Sequence, residues 1–182
     1  MGKLKNFKIL KNFLKQDEID LISTYLKIKH RTNFHNFDPQ IQNEDTYFYG
    51  DCLTESLLLN RKSFLEKETN ITLLPTYSFW RMCTKYSTLA KHVDRDSCEI
   101  SVSTTVCNDG TKWPLFVNNK KIILNPGDAV LYRGCDIEHY REEFLGDYQG
   151  QIMLHYVDAN GSRKENYMDK RRYWGLKAVN GL

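Results

Sequence analysis

The second half of the chain is a series of short segments rich in β-forming residues. They fall at residues 77–83, 98–107, 113–117, 120–124, 129–132 and 151–157. Turn sequences separate them, among them Asn-Asp-Gly at 108–110 and Asn-Pro-Gly-Asp at 125–128, which favour tight reversals of the chain. Many short strands that follow a helical region predict a double-sheet jelly roll with helices packed against one sheet.

The N-terminal region is predicted to supply the helices. Residues 7–14 alternate loosely in polarity and indicate a first strand. Residues 16–29 and 54–68 have the apolar spacing of amphipathic helices, and acidic residues begin the first of them. Residues 30–51 are polar and aromatic and predict a long loop. Such a loop is either a lid over a binding site or an irregular segment packed on the barrel.

These elements predict a single domain that is mainly β with flanking helices. The expected architecture is a double-stranded β-helix barrel, of the jelly-roll or cupin-like kind, with N-terminal supporting helices. We expect a strand, helices and a lid loop in residues 1–73, the jelly-roll core in 74–158 and a basic tail in 159–182. A length of 182 residues suits one domain with a full hydrophobic core.

The composition excludes several classes of protein. Mean hydropathy is −0.58 and the sequence has no long apolar run, so we expect no membrane span. The first 14 residues lack the uninterrupted apolar core of an export signal. Five cysteines without CxxC spacing are then expected to be reduced thiols, which indicates a cytoplasmic location. A net charge of +3 does not by itself indicate nucleic acid as a partner.

Three residues have the chemistry of a metal site. His92 and Asp94 are two positions apart, so at the end of a strand both side chains point to one face. His139 follows the strand that the turn at 126–128 introduces, and a jelly roll folds it back toward the first pair. Two imidazoles and one carboxylate occupy one face of an octahedral metal and leave the other face open. The set therefore predicts an Fe(II) site.

The same residues belong to a longer sequence pattern. Residues 74–81, 92–101 and 126–134, together with His139, resemble the Fe(II)/2-oxoglutarate dioxygenases, and most of all their prolyl-hydroxylase-like branch. The resemblance covers about residues 74–158, nearly half of the chain. It implies a double-stranded β-helix with iron held by the two histidines and the aspartate.

The resemblance also implies an activity. Enzymes of this kind bind 2-oxoglutarate to iron through its C1 carboxylate and 2-keto group, consume O2 and release succinate and CO2. His92, Asp94 and His139 are then both metal ligands and catalytic residues, with ascorbate as a reductant. Because Asp94 is a carboxylate where related halogenating enzymes have Gly or Ala, the resemblance implies a hydroxylase. Its substrate is expected to be a protein side chain such as proline, or an amino-acid-like small molecule.

The co-substrate anchor departs from the family pattern. The branch usually has an Arg or Lys about ten residues after the distal histidine, where this chain has the neutral segment 148–151. A bidentate arginine suits the far carboxylate of 2-oxoglutarate best, and Arg141 shares the predicted strand face of His139. The alternative for Arg141 is a surface ion pair with Glu142 or Glu143.

Other residues are candidates for the same pocket. Arg81 and Arg133 are further candidates for the anchor. Gln149, Gln151 and His155 share a parity on the last strand and are expected to line the pocket as neutral hydrogen-bonding groups. His155 is either a fourth ligand or a buried residue behind the ligands. The Tyr86 hydroxyl is expected either to bind 2-oxoglutarate or only to pack.

Two further regions leave alternatives open. Arg95 and Asp96 are expected at the mouth of the site, where they contact substrate or pair with each other. The segment 170–174 combines basic and aromatic residues, which either bind nucleic acid or pack as a solvated tail. Two rival functions follow. One is a cupin-like metal-binding module without oxygenase activity, which the missing late cation favours, and the other is an interaction protein that uses its basic tail.

Overall fold

The computed structural model describes residues 7–32 and 45–175. In these residues the elements follow one another as β1 (Phe7–Leu10), α1 (Gln16–Arg31), β2 (Thr46–Tyr49), α2 (Cys52–Thr69), β3 (Leu73–Thr84), β4 (Leu89–His92), β5 (Ile100–Asn108), β6 (Leu115–Val117), β7 (Lys120–Ile122), β8 (Ala129–Tyr132), β9 (His139–Arg141) and β10 (Tyr148–Asp158). Short 3-10 segments occur at Asp96–Cys98 and Lys164–Lys170.

The strands form two antiparallel sheets. The larger sheet has the order β1-β8-β5-β10-β3-β2, and the smaller sheet has the order β4-β9-β6-β7. From β3 onward the chain passes repeatedly from one sheet to the other, as a double-stranded β-helix does. This is the mainly β architecture with flanking helices that the sequence predicts.

Each helix has a side chain that satisfies backbone N–H groups at its start. Asp51 precedes α2, and its Oδ1 accepts from the backbone N–H of Leu53 at 3.0 Å. At the start of α1, the Glu18 side chain accepts from the backbone N–H of Lys15 at 2.9 Å. Helix α2 ends at Asn70, whose φ of 55° is the left-handed conformation that closes many helices. Both helices pack on the outer face of the larger sheet.

Alternation along the strands gives the two faces of the larger sheet different chemistry. On β10, Ile152 and Leu154 point toward the helices and belong to the main hydrophobic core. Gln151 and Met153 point the other way, into the space between the sheets. On β3, Trp80 packs in the same helix-facing core. The helix side is therefore apolar, and polar side chains concentrate between the two sheets.

Two short stretches differ from the sequence prediction. The predicted loop at 30–51 contains β2, which pairs with β3 at the edge of the larger sheet. A four-residue edge strand has little alternation of its own, so its neighbour decides its conformation. Residues 33–44 of the predicted lid lie outside the described residues. The first strand ends at Leu10 because the next residues turn so that Phe13 and Leu14 enter the core.

Strands β4 and β9 contain His92 and His139. The parity arguments for the site assume strands there, but neither is among the segments that the sequence pattern predicts as strands. Each has only three or four residues, and both contain charged side chains that weaken any strand pattern. All five cysteines are free thiols, as the sequence predicts. No helix in the described part of the chain is long and apolar enough to cross a membrane.

Candidate active site

His92, Asp94 and His139 meet between the two sheets. His92 ends β4, His139 begins β9, and the two are direct partners in the antiparallel register. Asp94 follows β4, where its backbone N–H donates to the carbonyl of Gly134 at 2.8 Å. The ligand atoms of the three side chains all lie within 4.8 Å of one another. The structure thus brings together the three residues that the sequence pattern selects.

Backbone carbonyls orient both imidazoles. Nδ1 of His92 lies 2.8 Å from the carbonyl oxygen of Ala90, and Nδ1 of His139 lies 3.0 Å from that of Ile137. A carbonyl oxygen only accepts, so each Nδ1 carries a proton and each Nε2 is the atom left for a metal. Both Nε2 atoms face Asp94 Oδ1, at 3.5 and 3.4 Å. Cis ligands about 2.1 Å from an octahedral ion lie about 3 Å apart, so this spacing suits one ion.

The electrostatics of the three residues also fit a cation. Burial acts to raise the pKa of Asp94, but hydrogen bonds with His139 and His92 outweigh burial and hold that pKa well below its usual range. The hydrogen bond with Asp94 raises the pKa of His92. A divalent metal replaces protons held in such a cluster. Two neutral imidazoles and one carboxylate are the donor set of Fe(II) sites with open positions, so the residues present fit Fe(II).

A hydrogen-bonded chain supports Asp94 from behind. Ser101 Oγ donates to Asp94 Oδ2 at 3.1 Å, and Nδ1 of His155 contacts the same hydroxyl at 2.9 Å. Burial lowers the pKa of His155 to about 4, so the ring is neutral near pH 7. His155 and Cys98 also approach Asp94, but the Cys98 thiol contacts the Tyr77 hydroxyl at 3.0 Å. The geometry therefore favours His155 as a residue that holds Asp94 in place.

Gly134 leaves room for the Asp94 carboxylate. A Cβ atom at this position would collide with Asp94 Oδ2 and would lie 2.6 Å from Ser101 Oγ. We expect Gly134→Ala to weaken Fe(II) binding about 10- to 100-fold, because it displaces the carboxylate and its hydrogen-bond donor. Gly161→Ala, remote from the ligands, is the matched control and should retain wild-type affinity. Equal affinities in an anaerobic Fe(II) titration would contradict the predicted clash.

His92, Asp94 and His139 line a cavity of about 280 Å³ between the sheets. Ligand pockets commonly measure about 300–1,000 Å³, so this one is small. Its wall combines aromatic rings with positive charge. The rings and cations that line it include Tyr77, Phe79, Trp113, Tyr132, Arg81, Arg95 and Arg141.

Arg141 is buried in this wall, two residues after His139 on the same strand, and 4% of its surface is exposed. Its Nη1 donates to the carbonyl of Trp113 at 2.5 Å, and the guanidinium lies 4.6 Å from the centre of the Trp113 ring. No carboxylate of the described residues pairs with it, so the surface ion pair with Glu142 or Glu143 is not formed. Burial lowers the pKa of Arg141 to about 10. A buried cation without a counter-ion is costly, and an anionic ligand offsets that cost.

The other sequence candidates fall in different places. Gln151 lines the cavity, whereas Gln149 is buried beside it with no hydrogen-bond partner for Nε2 among the described residues. Tyr86 lies outside the cavity: β3 ends at Thr84, and the tyrosine sits 55% exposed in the following turn. Arg133 is bound by Asp136 and Glu99 and is not available as an anchor.

Arg95 and Asp96 do not pair with each other. Asp96 accepts from Arg163 at 2.9 Å at the surface. Arg95 lines the cavity, lies 4.5 Å from the centre of the Tyr77 ring and donates two hydrogen bonds of 2.7 Å to Asp169. Sequence reasoning missed this partner because 74 residues separate it from Arg95 and no local pattern connects them.

The segment around Asp169 has an unfavourable backbone conformation. Met168, Asp169 and Lys170 have φ values of 52°, 53° and 61°, which non-glycine residues rarely adopt in succession. Hydrogen bonds hold Asp169 there: Ser97 Oγ and the Tyr49 hydroxyl each donate to it at 2.5 Å, in addition to Arg95. The C-terminal segment is thereby fixed against one side of the cavity mouth.

The same contacts predict a pH-dependent contribution to stability. Burial acts to raise the pKa of Asp169, but the hydrogen bonds from Arg95, Ser97 and Tyr49 outweigh it and lower the pKa to about 2. A carboxylate with a depressed pKa stabilises the fold above its unfolded pKa of about 4, and the contribution is lost as the pH falls toward 2. Asp169→Asn should therefore lower the free energy of unfolding by roughly 1–3 kcal/mol at pH 7.

Denaturant unfolding of both proteins at pH 7 and pH 3 measures this effect. The difference between wild type and Asp169→Asn should shrink at the lower pH. Asp96→Asn is the control, because its exposed ion pair with Arg163 is expected to contribute less than about 0.5 kcal/mol. A difference that does not change with pH would contradict the assignment to the Asp169 carboxylate.

The basic C-terminal cluster is partly internal. Arg171 is buried, donates to Glu55 at 2.5 Å and to the carbonyl of Thr76 at 2.9 Å, and lies over the rings of Tyr49 and Trp174. The central cation of the predicted tail therefore ties the chain end to α2 and β3. Arg171 therefore packs internally, and the choice between the two sequence alternatives for residues 170–174 stays a prediction.

Comparisons with known proteins address the fold. No protein-family model matches the sequence, and no curated protein matches it either. Among solved structures, a prolyl-4-hydroxylase of Pseudomonas putida has a TM-score of 0.67 at 12% identity, over 84% of this chain and 92% of that one. A prolyl hydroxylase of Trichoplax adhaerens, solved with a hypoxia inducible factor peptide, has a TM-score of 0.65 at 16% identity, over 91% and 88%.

A third structure carries ligands. HygX of Streptomyces hygroscopicus, solved with nickel and 2-oxoglutarate, has a TM-score of 0.66 at 10% identity, over 88% of this chain and 85% of that one. Identities this low establish the fold alone. The chain therefore has the double-stranded β-helix fold of the Fe(II)/2-oxoglutarate oxygenases, including prolyl hydroxylases, as the sequence resemblance implies.

Proposed function

We propose that the chain is an Fe(II)- and 2-oxoglutarate-dependent dioxygenase. It hydroxylates a C–H bond of a protein side chain, such as proline, or of an amino-acid-like small molecule. The reaction converts substrate, 2-oxoglutarate and O2 into hydroxylated substrate, succinate and CO2. One observation carries the proposal: both imidazole Nε2 atoms face one oxygen of Asp94, in a cavity whose wall also holds the unpaired guanidinium of Arg141.

The residues of the site have separate tasks in this proposal. His92, Asp94 and His139 hold Fe(II), which when bound supplies the site where the 2-oxo acid chelates and O2 is reduced. Arg141 binds the far carboxylate of 2-oxoglutarate and so fixes its direction in the cavity. Gln151 lines the same wall and offers neutral hydrogen bonds.

The shape of the cavity supports the substrate class. Because the cavity is small, it suits the co-substrate together with one side-chain-sized group rather than a large substrate. Tyr77 and Phe79 on β3 give one wall of the cavity an apolar surface. Arg95, at the rim, is held in place by Asp169. Such a wall packs against an aliphatic group and excludes water from it. A proline ring or a comparable aliphatic side chain fits this surface.

Anaerobic reconstitution tests the proposed function. Fe(II) and 2-oxoglutarate together should give a weak visible charge-transfer band, and this band should decay when O2 is admitted, with succinate formed. The control is Fe(II) with succinate in place of 2-oxoglutarate, which cannot chelate through a keto group. If iron binds but neither band nor succinate is observed, the protein is a cupin-like metal-binding module, which the neutral residue Gln149 at the usual anchor position would favour.

A further inference from the structure

Arg81 is a second cation of the cavity that has no counter-ion. It lies near the C-terminal end of β3 and lines the same cavity as His92, Asp94 and His139. Its Nε is buried without a hydrogen-bond partner, and no ion pair to it occurs in residues 7–32 and 45–175. The nearest described favourable contact is weak, since its guanidinium carbon lies 5.5 Å from the centre of the Phe79 ring.

Three arginines of the described part of the chain line the cavity, and one of them is neutralised by a carboxylate. Arg95 is paired with Asp169, and Asp94 is the only carboxylate that lines the cavity within the described residues. Arg81 and Arg141 have no carboxylate partner among the described residues, and they belong to different sheets. They lie close enough to repel each other, since Arg81 adds to the effect of burial in lowering the pKa of Arg141. Two like charges in a small cavity repel each other, and an anion bound between them offsets this repulsion.

The register places Arg81 beside the position where the usual anchor is missing. Arg81 is the ladder partner of Gln151, and the next inward-facing pair on the same strands is Cys83 with Gln149. Arg81 and Arg141 both act electrostatically on the Cys83 thiol, whose pKa burial raises to about 12. Both guanidiniums therefore approach the wall where a cation at position 149 would lie.

We propose that Arg81 and Arg141 together bind the far carboxylate of the 2-oxo acid, one from each sheet, in place of a single cation on the last strand. The inference rests on the proposed function and names how its co-substrate is selected. A carboxylate has two oxygens and accepts hydrogen bonds from two guanidiniums at once. The pocket then selects a five-carbon 2-oxo diacid over a 2-oxo acid with an uncharged end.

Direct binding to the Mn(II)-loaded protein tests this arrangement without turnover. Equilibrium dialysis would give dissociation constants for 2-oxoglutarate and for 2-oxopentanoate, which lacks the far carboxylate. We expect Arg81→Gln to weaken 2-oxoglutarate about 10- to 100-fold and to leave 2-oxopentanoate unchanged. Arg81→Lys should restore part of the affinity. Arg133→Gln is the matched control, because Arg133 is bound by Glu99 and Asp136 and should not affect either ligand.

Thermal unfolding separates ligand binding from a structural role. Removing one of two repelling cations should leave the melting temperature of the ligand-free protein unchanged or higher, while the shift caused by 2-oxoglutarate becomes smaller. A lower melting temperature without ligand, together with equal losses for both 2-oxo acids, would make Arg81 a structural residue and overturn the proposal. Unchanged 2-oxoglutarate affinity in Arg81→Gln would overturn it as well. If the wild-type protein binds no 2-oxoglutarate, the proposed function itself fails.

Discussion

Asp94→Asn is expected to weaken Fe(II) binding by at least about 100-fold and to abolish succinate formation. The neutral amide removes the only negative charge among the three ligands, and the charge is what offsets a divalent cation in this cavity. The amide nitrogen also has no available lone pair to donate to a metal, and its N–H groups would face Ser101 Oγ or the two imidazoles that now face a carboxylate oxygen. The expected loss is therefore larger than that from disturbing the surroundings of the site, as in Gly134→Ala.

Asp96→Asn provides the control within the same segment. Asp96 lies two residues away, is largely exposed and pairs with Arg163, so the same change of charge occurs outside the ligand set. An anaerobic Fe(II) titration and a succinate assay on both variants measure the effect. If Asp94→Asn keeps the affinity of Asp96→Asn, the cavity is not the iron site, and the proposed function loses its basis.

The cluster of His92, Asp94 and His139 could be predicted from the sequence because each part of it follows from a local pattern. Two residues of equal strand parity and a histidine beyond a Pro-Gly-Asp turn are patterns that a single strand and a single turn produce. The same parity argument relates Arg141 to His139, and the structure places Arg141 in the cavity wall. Tyr86 does not line the cavity, because β3 ends before it, at Thr84, and the tyrosine lies in the following turn.

The remaining features depend on contacts between distant parts of the chain. Nothing in the sequence near Arg95 indicates that Asp169 will bind it, and nothing near Arg81 indicates that its guanidinium will remain without a carboxylate. The requirement for glycine at position 134 arises only from the approach of Asp94 and Ser101. These properties follow from the packing of two sheets against each other. Alternating polarity along the strands predicts that the sheets pack, but it does not predict which side chains come into contact.

Arg141→Ala is expected to raise the apparent KM for 2-oxoglutarate about 100-fold while leaving Fe(II) affinity nearly unchanged. A buried, charge-assisted contact contributes about 2–5 kcal/mol to ligand binding, and roughly 3 kcal/mol corresponds to a factor of 100. Among the described residues no hydrogen bond or ion pair joins the guanidinium to His92, Asp94 or His139, so we expect their affinity for iron to stay nearly unchanged. Removing it also frees the ligand-free protein from an uncompensated buried charge.

Arg133→Ala is the comparison that makes this result specific. Arg133 carries the same charge but is neutralised by Glu99 and Asp136, so its removal should alter neither KM nor iron binding. The double variant Arg81→Gln/Arg141→Ala adds a second criterion. Residues that bind one carboxylate together lose less in combination than the sum of their separate effects, because the first substitution already leaves that carboxylate poorly bound. Strict additivity of the two losses would mean that the arginines bind different groups, and an unchanged KM in Arg141→Ala would remove Arg141 from the co-substrate pocket altogether.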